Sequence, residues 1–271
     1  MIMGTNWFLG YSHYTPAKDA LIKEVVSDRK KIADIIEVFL RAGVDAIMGF
    51  INAPNLVDAI KDAEDRTGEK VLPVATPSLP VTRDTAAKGF DLGEVERILD
   101  LNASLGAAVC MPHTSTTDLM VDRCTREVRQ MDVVCKMIRD RGMIPGLSTH
   151  LPESIIFADE TGLDVEAYVC IYNLMGFLMP LEVDWTADII WKSKKPVMTI
   201  KPMAAGQIRP FQAMNYVWNT IRPCDMVTVG TMTPMEAQEL IDMSLAILQR
   251  QQSTVPLQET RSKSVVKQHK R

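Results

Sequence analysis

Eight short apolar runs, spaced along 271 residues and separated by stretches of helical periodicity, constrain this chain more than any single motif does. The runs are TNWFLG (5–10), VDAIMGFI (44–51), KVLPVAT (70–76), AAVCMP (107–112), MIPGLST (143–149), AYVCIYN (167–173), PVMTIK (196–201) and DMVTVG (225–230). Ile32, Ile35, Ile36 and Phe39 recur at helical spacing and predict a helix over 28–42, stopped by Gly43. Further helices are expected over APNLVDAIKDAEDRTG, 91–105, 118–141, PESIIFADETG, TADIIWKSKK and 209–221. The last helix opens with Thr233 as its cap, Pro234 in its first turn and Glu236 completing a capping box.

Strands that alternate with helices imply a parallel sheet, and eight such units in this length imply a closed α/β (β/α)8 TIM barrel. The barrel is expected to fill 1–250 as one domain, followed by a basic, disordered tail over 251–271. An open doubly wound sheet would need a G-x-G-x-x-G loop after its first strand, and GYSHYTP is not one.

Bulk properties exclude several classes. A net charge of −4 leaves the body without the basic footprint of a nucleic-acid binder. The richest apolar segment, YVCIYNLMGFLMPL, is broken by Asn173, Gly176 and Pro180, so no membrane span is expected. The first residues lack the pattern of a signal peptide. The five cysteines form no C-x-x-C pair and fit a reduced cytoplasmic compartment, with Cys110 and Cys170 as packing residues.

Ligands of such barrels sit at the carboxyl ends of the strands. The first strand ends toward Ser12, His13 and Tyr14, the second at Asn52, the third at Thr76 and Ser78, and the fourth at His113. The fifth ends at Ser148, Thr149 and His150, the sixth at Tyr172 and Asn173, the seventh at Lys201 and the eighth at Gly230 and Thr231. Three of the four histidines therefore fall at strand ends, which points to one shared pocket. His13, Tyr14, Asn52, His150, Tyr172 and Asn173 are read as substrate-binding residues. No H-x-H or H-E-x-x-H spacing occurs and no carboxylate falls at a strand end, so a metal is not expected.

Lys201 shares alternation with Val197 and Thr199, which places it toward the barrel interior. A lysine there either holds an anion or, with a lowered pKa, attacks a carbonyl. The loops AAGQI and GTMTP follow the last two strands, the usual phosphate position of barrels, and nominate Gly206, Gly230 and Thr231.

From about residue 107 the chain resembles the aldo-keto reductase superfamily. AAVCMPH is similar to that family's fourth strand, whose terminal catalytic histidine corresponds to His113. MIPGLSTHLPESIIFADETGLDVEAYVCIYN, VMTIKPMAAG and DMVTVGTMTPMEAQELI resemble its fifth to eighth units, the last with the helix that caps the cofactor phosphate. The resemblance implies the barrel fold and an NAD(P)H cofactor. It also implies a tetrad of Asp, Tyr, Lys and His, of which IMGFINAPN and VATPSL supply neither the aspartate, the tyrosine nor the lysine.

The expected function is an enzyme acting on a small polar carbonyl or phosphorylated metabolite, with His113 as acid/base and Lys201 as a ligand of the substrate. Its first specific form is an aldo-keto reductase-like NAD(P)-dependent oxidoreductase. The alternatives are a class I Schiff-base aldolase or lyase using Lys201, and a non-catalytic barrel that serves as a binding or assembly subunit. The Met-rich NLMGFLMPL offers an interface between copies of the chain, or a lid.

Overall fold

The computed structural model describes residues 1–26 and 28–256; the expected basic tail lies outside them from residue 257 onward. Strands β1 (Ile2–Gly4), β2 (Ala46–Gly49), β3 (Leu72–Ala75) and β4 (Val109–Cys110) pair in parallel in that order. On the other side β1 pairs with β11 (Met226–Val229), which pairs with β10 (Val197–Ile200) and then β9 (Tyr168–Ile171). The ring closes through β7 (Ile144–Pro145) and β8 (Leu147–Thr149), two halves of one strand split at Gly146. Gly146 N–H donates to Cys110 O at 3.1 Å, while Leu147 N–H donates to Ala167 O at 3.1 Å. A side chain at Gly146 would press on Met111 and on the Ala167 carbonyl, so this closure requires glycine. Eight strand positions thus form the expected barrel.

The helices follow the strands as α1 (Pro16–Val26), α2 (Arg29–Arg41), α3 (Pro54–Thr67), α4 (Leu92–Ser104), α5 (Thr114–Met120), α6 (Met131–Asp140), α7 (Glu153–Thr161), α8 (Val183–Lys192), α9 (Pro210–Thr220) and α10 (Pro234–Leu248). Alternation sorts each strand's side chains into two cores. Ile2, Met48, Val74, Met111, Val169 and Met198 pack inside the barrel. Their neighbours Met3, Ile47, Cys110, Cys170, Val197 and Val227 pack outward beneath the helices, with α2 contributing Ile32, Ile35, Ile36 and Phe39. Asp28 caps α2 through the N–H groups of Lys30 and Lys31, and Gly68 ends α3 in the left-handed region.

Three expectations are corrected. The first strand is Ile2–Gly4, and Thr5–Gly10 is a chain of turns, with Leu9 N–H donating to Thr5 O and Gly10 N–H to Trp7 O. Helix α1 was not expected. The single helix over 118–141 is two helices separated by a hairpin, β5 (Val121–Asp122) against β6 (Glu127–Val128). The Asp122 carboxylate holds that turn by accepting from the N–H groups of Cys124 and Thr125, a local bond that competes with helix.

One buried ion pair braces the bottom of β10 and β11. Asp225 is wholly buried and accepts from Arg222 at 2.7 Å and from Val197 N–H at 2.8 Å. Arg222 also donates to the carbonyls of Ser193 and Lys195. None of the described helices is long and apolar enough to cross a membrane.

Candidate active site

The carboxyl ends of the strands open onto one cavity of about 160 Å³. His13, His113, His150 and Lys201 all line it, so the three strand-end histidines and the lysine do converge.

His113 ends the β4 segment and caps α5. Its Nδ1 accepts from Ser115 N–H at 3.2 Å, and Ser115 Oγ lies 2.8 Å away. The bond to Nδ1 leaves the proton of the neutral ring on Nε2. The Phe50 ring packs against the imidazole with centroids 4.9 Å apart. His150 follows β8, and its Nε2 is buried without a hydrogen-bond partner. His13 sits in the left-handed region at φ 60. The Asn6 amide donates to its Nε2 at 2.8 Å, which places the ring proton on Nδ1.

Burial is the largest cause of depressed basicity in all three rings, followed by the positive charge of Lys201. It brings His113 to about 4 and His150 to about 3, whereas His13, whose side chain is exposed, shifts in the same direction. All three are therefore neutral at pH 7. Lys201 is lowered from 10.5 to about 8 by burial alone. Among the described residues its ammonium has no hydrogen bond or ion pair, and no carboxylate lines the cavity.

Lys201 reaches the cavity by a route that alternation does not predict. Met198 and Ile200 belong to the barrel interior, whereas Val197 packs outward and Thr199 Oγ1 donates to Met226 O. A regular strand would send residue 201 outward with them. Instead Lys201 takes φ 61, and the departure from the pleat turns its side chain into the mouth. Ala204 and Ala205 also have positive φ, so the turn after β10 is strained at three non-glycine residues.

The other nominated residues divide. Gly206 and Gly230 line the cavity; the Trp7 ring lies 3.4 Å from where a Gly230 Cβ would stand. Tyr14 is 56% exposed and Asn52 is exposed, and neither lines it. Tyr172 is buried with its hydroxyl 2.8 Å from that of Tyr216, and Thr231 is buried behind the wall. Asn173 lies one layer back. Its Nδ2 donates to Phe177 O at 3.0 Å, and its Oδ1 accepts from Phe177 N–H at 2.8 Å. That clasp carries the Phe177 ring to the cavity while Leu174, Met175 and Leu178 of the same Met-rich loop stay exposed.

Asp118 escaped the sequence reading because it lies four residues into a helix rather than at a strand end. Its half-buried carboxylate accepts from Thr114 Oγ1 at 2.7 Å, Thr149 Oγ1 at 2.6 Å and the His150 N–H at 3.2 Å. It ties the segment after β4 to the segment after β8, and so sets His113 and His150 relative to each other. Burial raises its pKa, with those three bonds acting in the opposite direction. The Thr114–Asp118 spacing in HTSTTD was the available signal.

No protein-family model matches this chain, and no curated protein matches it. Solved structures do. A Pseudomonas aeruginosa protein assigned to the aldo-keto reductases matches with a TM-score of 0.61 at 16% identity, over 91% of this chain and 89% of that one. The chain has the barrel fold of the aldo-keto reductases. An aldo-keto reductase from a deep-sea metagenome library of the Medee basin matches at 0.53 and 12% identity, over 86% of this chain and 90% of that one. A thiamine phosphate pyrophosphorylase from Pyrococcus furiosus matches at 0.51 and 12%, over 84% and 92%. Against the tetrad of the aldo-keto reductases, His113 stands at the end of β4, while Gly49 and Thr76 line the cavity at the ends of β2 and β3. The lysine enters from β10, and among the described residues no tyrosine lines the cavity. Nor does any group of three or more described His, Cys, Asp and Glu side chains converge as a metal site.

Proposed function

We propose that the chain is an enzyme that acts on a small polar carbonyl compound through the amine of Lys201. The observation that carries this reading is a buried lysine, free of any described partner, whose amine titrates at about 8 in a cavity lined by no carboxylate. At pH 7 about a tenth of that amine is unprotonated and nucleophilic, far more than for an ordinary lysine. Nζ adds to the carbonyl carbon while the carbonyl oxygen takes up a proton. Loss of water and of the amine proton then leaves an imine. His113 offers its Nε2–H to the carbonyl oxygen, and His150 Nε2 has no competing partner as a proton acceptor. Three neutral imidazoles around one amine supply the acid/base partners that the residues adjacent in sequence lack.

Oxidoreduction with NAD(P)H is the second reading, favoured by the fold and by the place of His113. The residues do not fit the phosphate seat that the resemblance implies. At the start of α10, Thr233 Oγ1 accepts from Glu236 N–H at 3.1 Å, and the Glu236 carboxylate accepts from Met232 N–H at 2.8 Å. The protein's own carboxylate already accepts from a backbone N–H at the helix start, which works against a second anion there.

Borohydride reduction in the presence of aldehydes, ketones and 2-oxo acids, followed by peptide mass spectrometry, tests the first reading. An adduct on Lys201 is the expected result. Folded protein left unlabelled by every compound overturns it. Saturable NADPH binding by fluorescence, with turnover of a carbonyl substrate, would establish the second reading instead.

A further inference from the structure

Lys201 stands in poor electrostatic company for an ammonium. Among the described residues no carboxylate lines the cavity, and none gives the amine a hydrogen bond or an ion pair. The wall holds His13, His113 and His150 instead. The positive charge of Lys201 depresses the basicity of each of them, so the amine lies within electrostatic range of all three rings. As a cation it works against its own surroundings.

An anion at the same place would not. Ser115 N–H donates to His113 Nδ1, which leaves Nε2–H as the free donor of that ring. A negative charge in range of three imidazoles raises their basicity, and an imidazole that takes a proton becomes its counter-ion. The wall therefore holds groups that adapt to a negative charge and no fixed anion for a positive one.

The rest of the lining selects the reagent that could make the change. Met48, Val169, Phe177, Ile200 and Val229 give the cavity a largely apolar wall around a volume of about 160 Å³. A charged reagent meets a desolvation cost there. Carbon dioxide has no net charge and no dipole, so it enters such a space without giving up strong hydration. It attacks no ammonium and reacts only with the unprotonated amine. An ordinary exposed lysine offers almost none of that form at neutral pH, whereas about a tenth of Lys201 is in it at pH 7.

We propose that Lys201 is a carbamylation site, at which carbon dioxide reversibly converts the amine into a carbamate and withdraws it from carbonyl chemistry. The lone pair of Nζ forms the new bond to carbon, and one C=O electron pair moves onto oxygen. The proton released from nitrogen leaves to solvent or to one of the imidazoles. The product replaces an unpaired cation with an anion in range of three imidazoles, and dilution of carbon dioxide reverses the step. The carbamate rests only on the unpaired amine. Its consequence for activity rests on the imine reading, and the two states exclude each other because one lone pair makes one bond.

The test exposes the full chain briefly to carbon-13-labelled carbon dioxide in a closed vessel. Triethyloxonium then traps carbamates as ethyl esters, which are located by peptide mass spectrometry. A reference peptide with a free α-amine in the same vessel reports that the trapping works. A labelled ester on Lys201 is expected, lost when unlabelled carbon dioxide is added before trapping, while Lys201→Met loses only that ester. At fixed carbon dioxide its yield should rise about fivefold from pH 7 to 8 and only about twofold from pH 8 to 9. No ester on Lys201 beside an esterified reference peptide overturns the proposal. So does a yield that still rises about tenfold from pH 8 to 9, as it would for an ordinary lysine. Borohydride labelling by carbonyl compounds separates this proposal from the imine reading. A carbamate without any carbonyl adduct leaves the modification standing and removes the imine, and an adduct without a carbamate does the reverse. Where both form, carbon dioxide should slow the adduct in proportion to the carbamate trapped; an unchanged rate would overturn the exclusion.

Discussion

Lys201→Met removes a buried ammonium and keeps most of the side chain's length. The folded protein holds the amine at about 8 against an ordinary 10.5. At about 1.36 kcal/mol per unit, charging Lys201 costs the folded state about 3 kcal/mol. The direction with pH follows from proton counting. Between 8 and 10.5 the unfolded chain binds more protons at this position than the folded one, so stability rises with pH across that window. The contribution is full above 10.5 and is lost as pH falls through 8. Methionine has no such window. The variant should therefore exceed wild type by about 3 kcal/mol at pH 7, with the gap closing as pH approaches 10.5. The left-handed backbone at φ 61 is common to both and cancels. The histidines are neutral in both proteins above pH 7 and cancel too. Urea denaturation at pH 7, 8, 9 and 10, read by far-UV circular dichroism, measures the gap directly. A variant no more stable than wild type at pH 7, or a gap that stays constant up to pH 10, would refute the claim that Lys201 is a desolvated cation without a partner.

Other expectations follow from the same structure. His113 and His150 have folded values of about 4 and 3 against an ordinary 6.5, so the stability that depends on their neutrality is complete above 6.5 and is lost as pH falls through 4. Acid titration followed by tryptophan fluorescence should show unfolding with net proton uptake there; stability flat from pH 7 to 4 would contradict it. Removing the Lys201 charge should raise all three histidine values, visible as shifted imidazole titrations by NMR in Lys201→Met. Gly49→Ala puts a Cβ into Thr5 at a backbone conformation of φ 145 and should cost roughly 2–4 kcal/mol in chemical denaturation, whereas Gly106→Ala, with open space around it, should cost only its left-handed strain, about 1–2 kcal/mol. Asp225→Ala strands the Arg222 guanidinium and the Val197 N–H and should cost about 3–5 kcal/mol, measured the same way.

The barrel was legible because its signal is repeated: eight apolar runs at regular spacing survive an error in any one of them. That is what happened at the start of the chain, where TNWFLG outweighed IMG on apolar content although the strand is Ile2–Gly4 and of TNWFLG only Thr5 N–H reaches β2, at Met48 O. The error hid part of the site, because Thr5, Asn6 and Trp7, assigned to a strand, in fact line the mouth. The split of the 118–141 segment was illegible for a different reason. Its apolar residues keep helical phase across the hairpin, and a single aspartate, Asp122, decides the break through two backbone bonds. Asp118 was missed because attention to strand ends ignores what a following helix folds back onto them.

Lys201 is the most instructive case, since the expectation reached the right place by a wrong argument. Alternation through Val197 and Thr199 was meant to point it inward, yet those residues face away from the barrel interior. What delivers the lysine to the mouth is a left-handed residue at the end of β10, followed by three more residues at positive φ within the next five. A lysine gains nothing from that conformation, which costs a non-glycine residue of order 1–2 kcal/mol. It also gains nothing from burial without a partner. Two independent penalties fall on one side chain, and the fold could avoid both by letting residue 201 continue the pleat into the outer layer. Structure that over-determines a costly arrangement is what a binding or catalytic group requires. The strain therefore argues for function at Lys201 more strongly than the residue type does, and it was invisible in a sequence that shows IKP as an ordinary strand end.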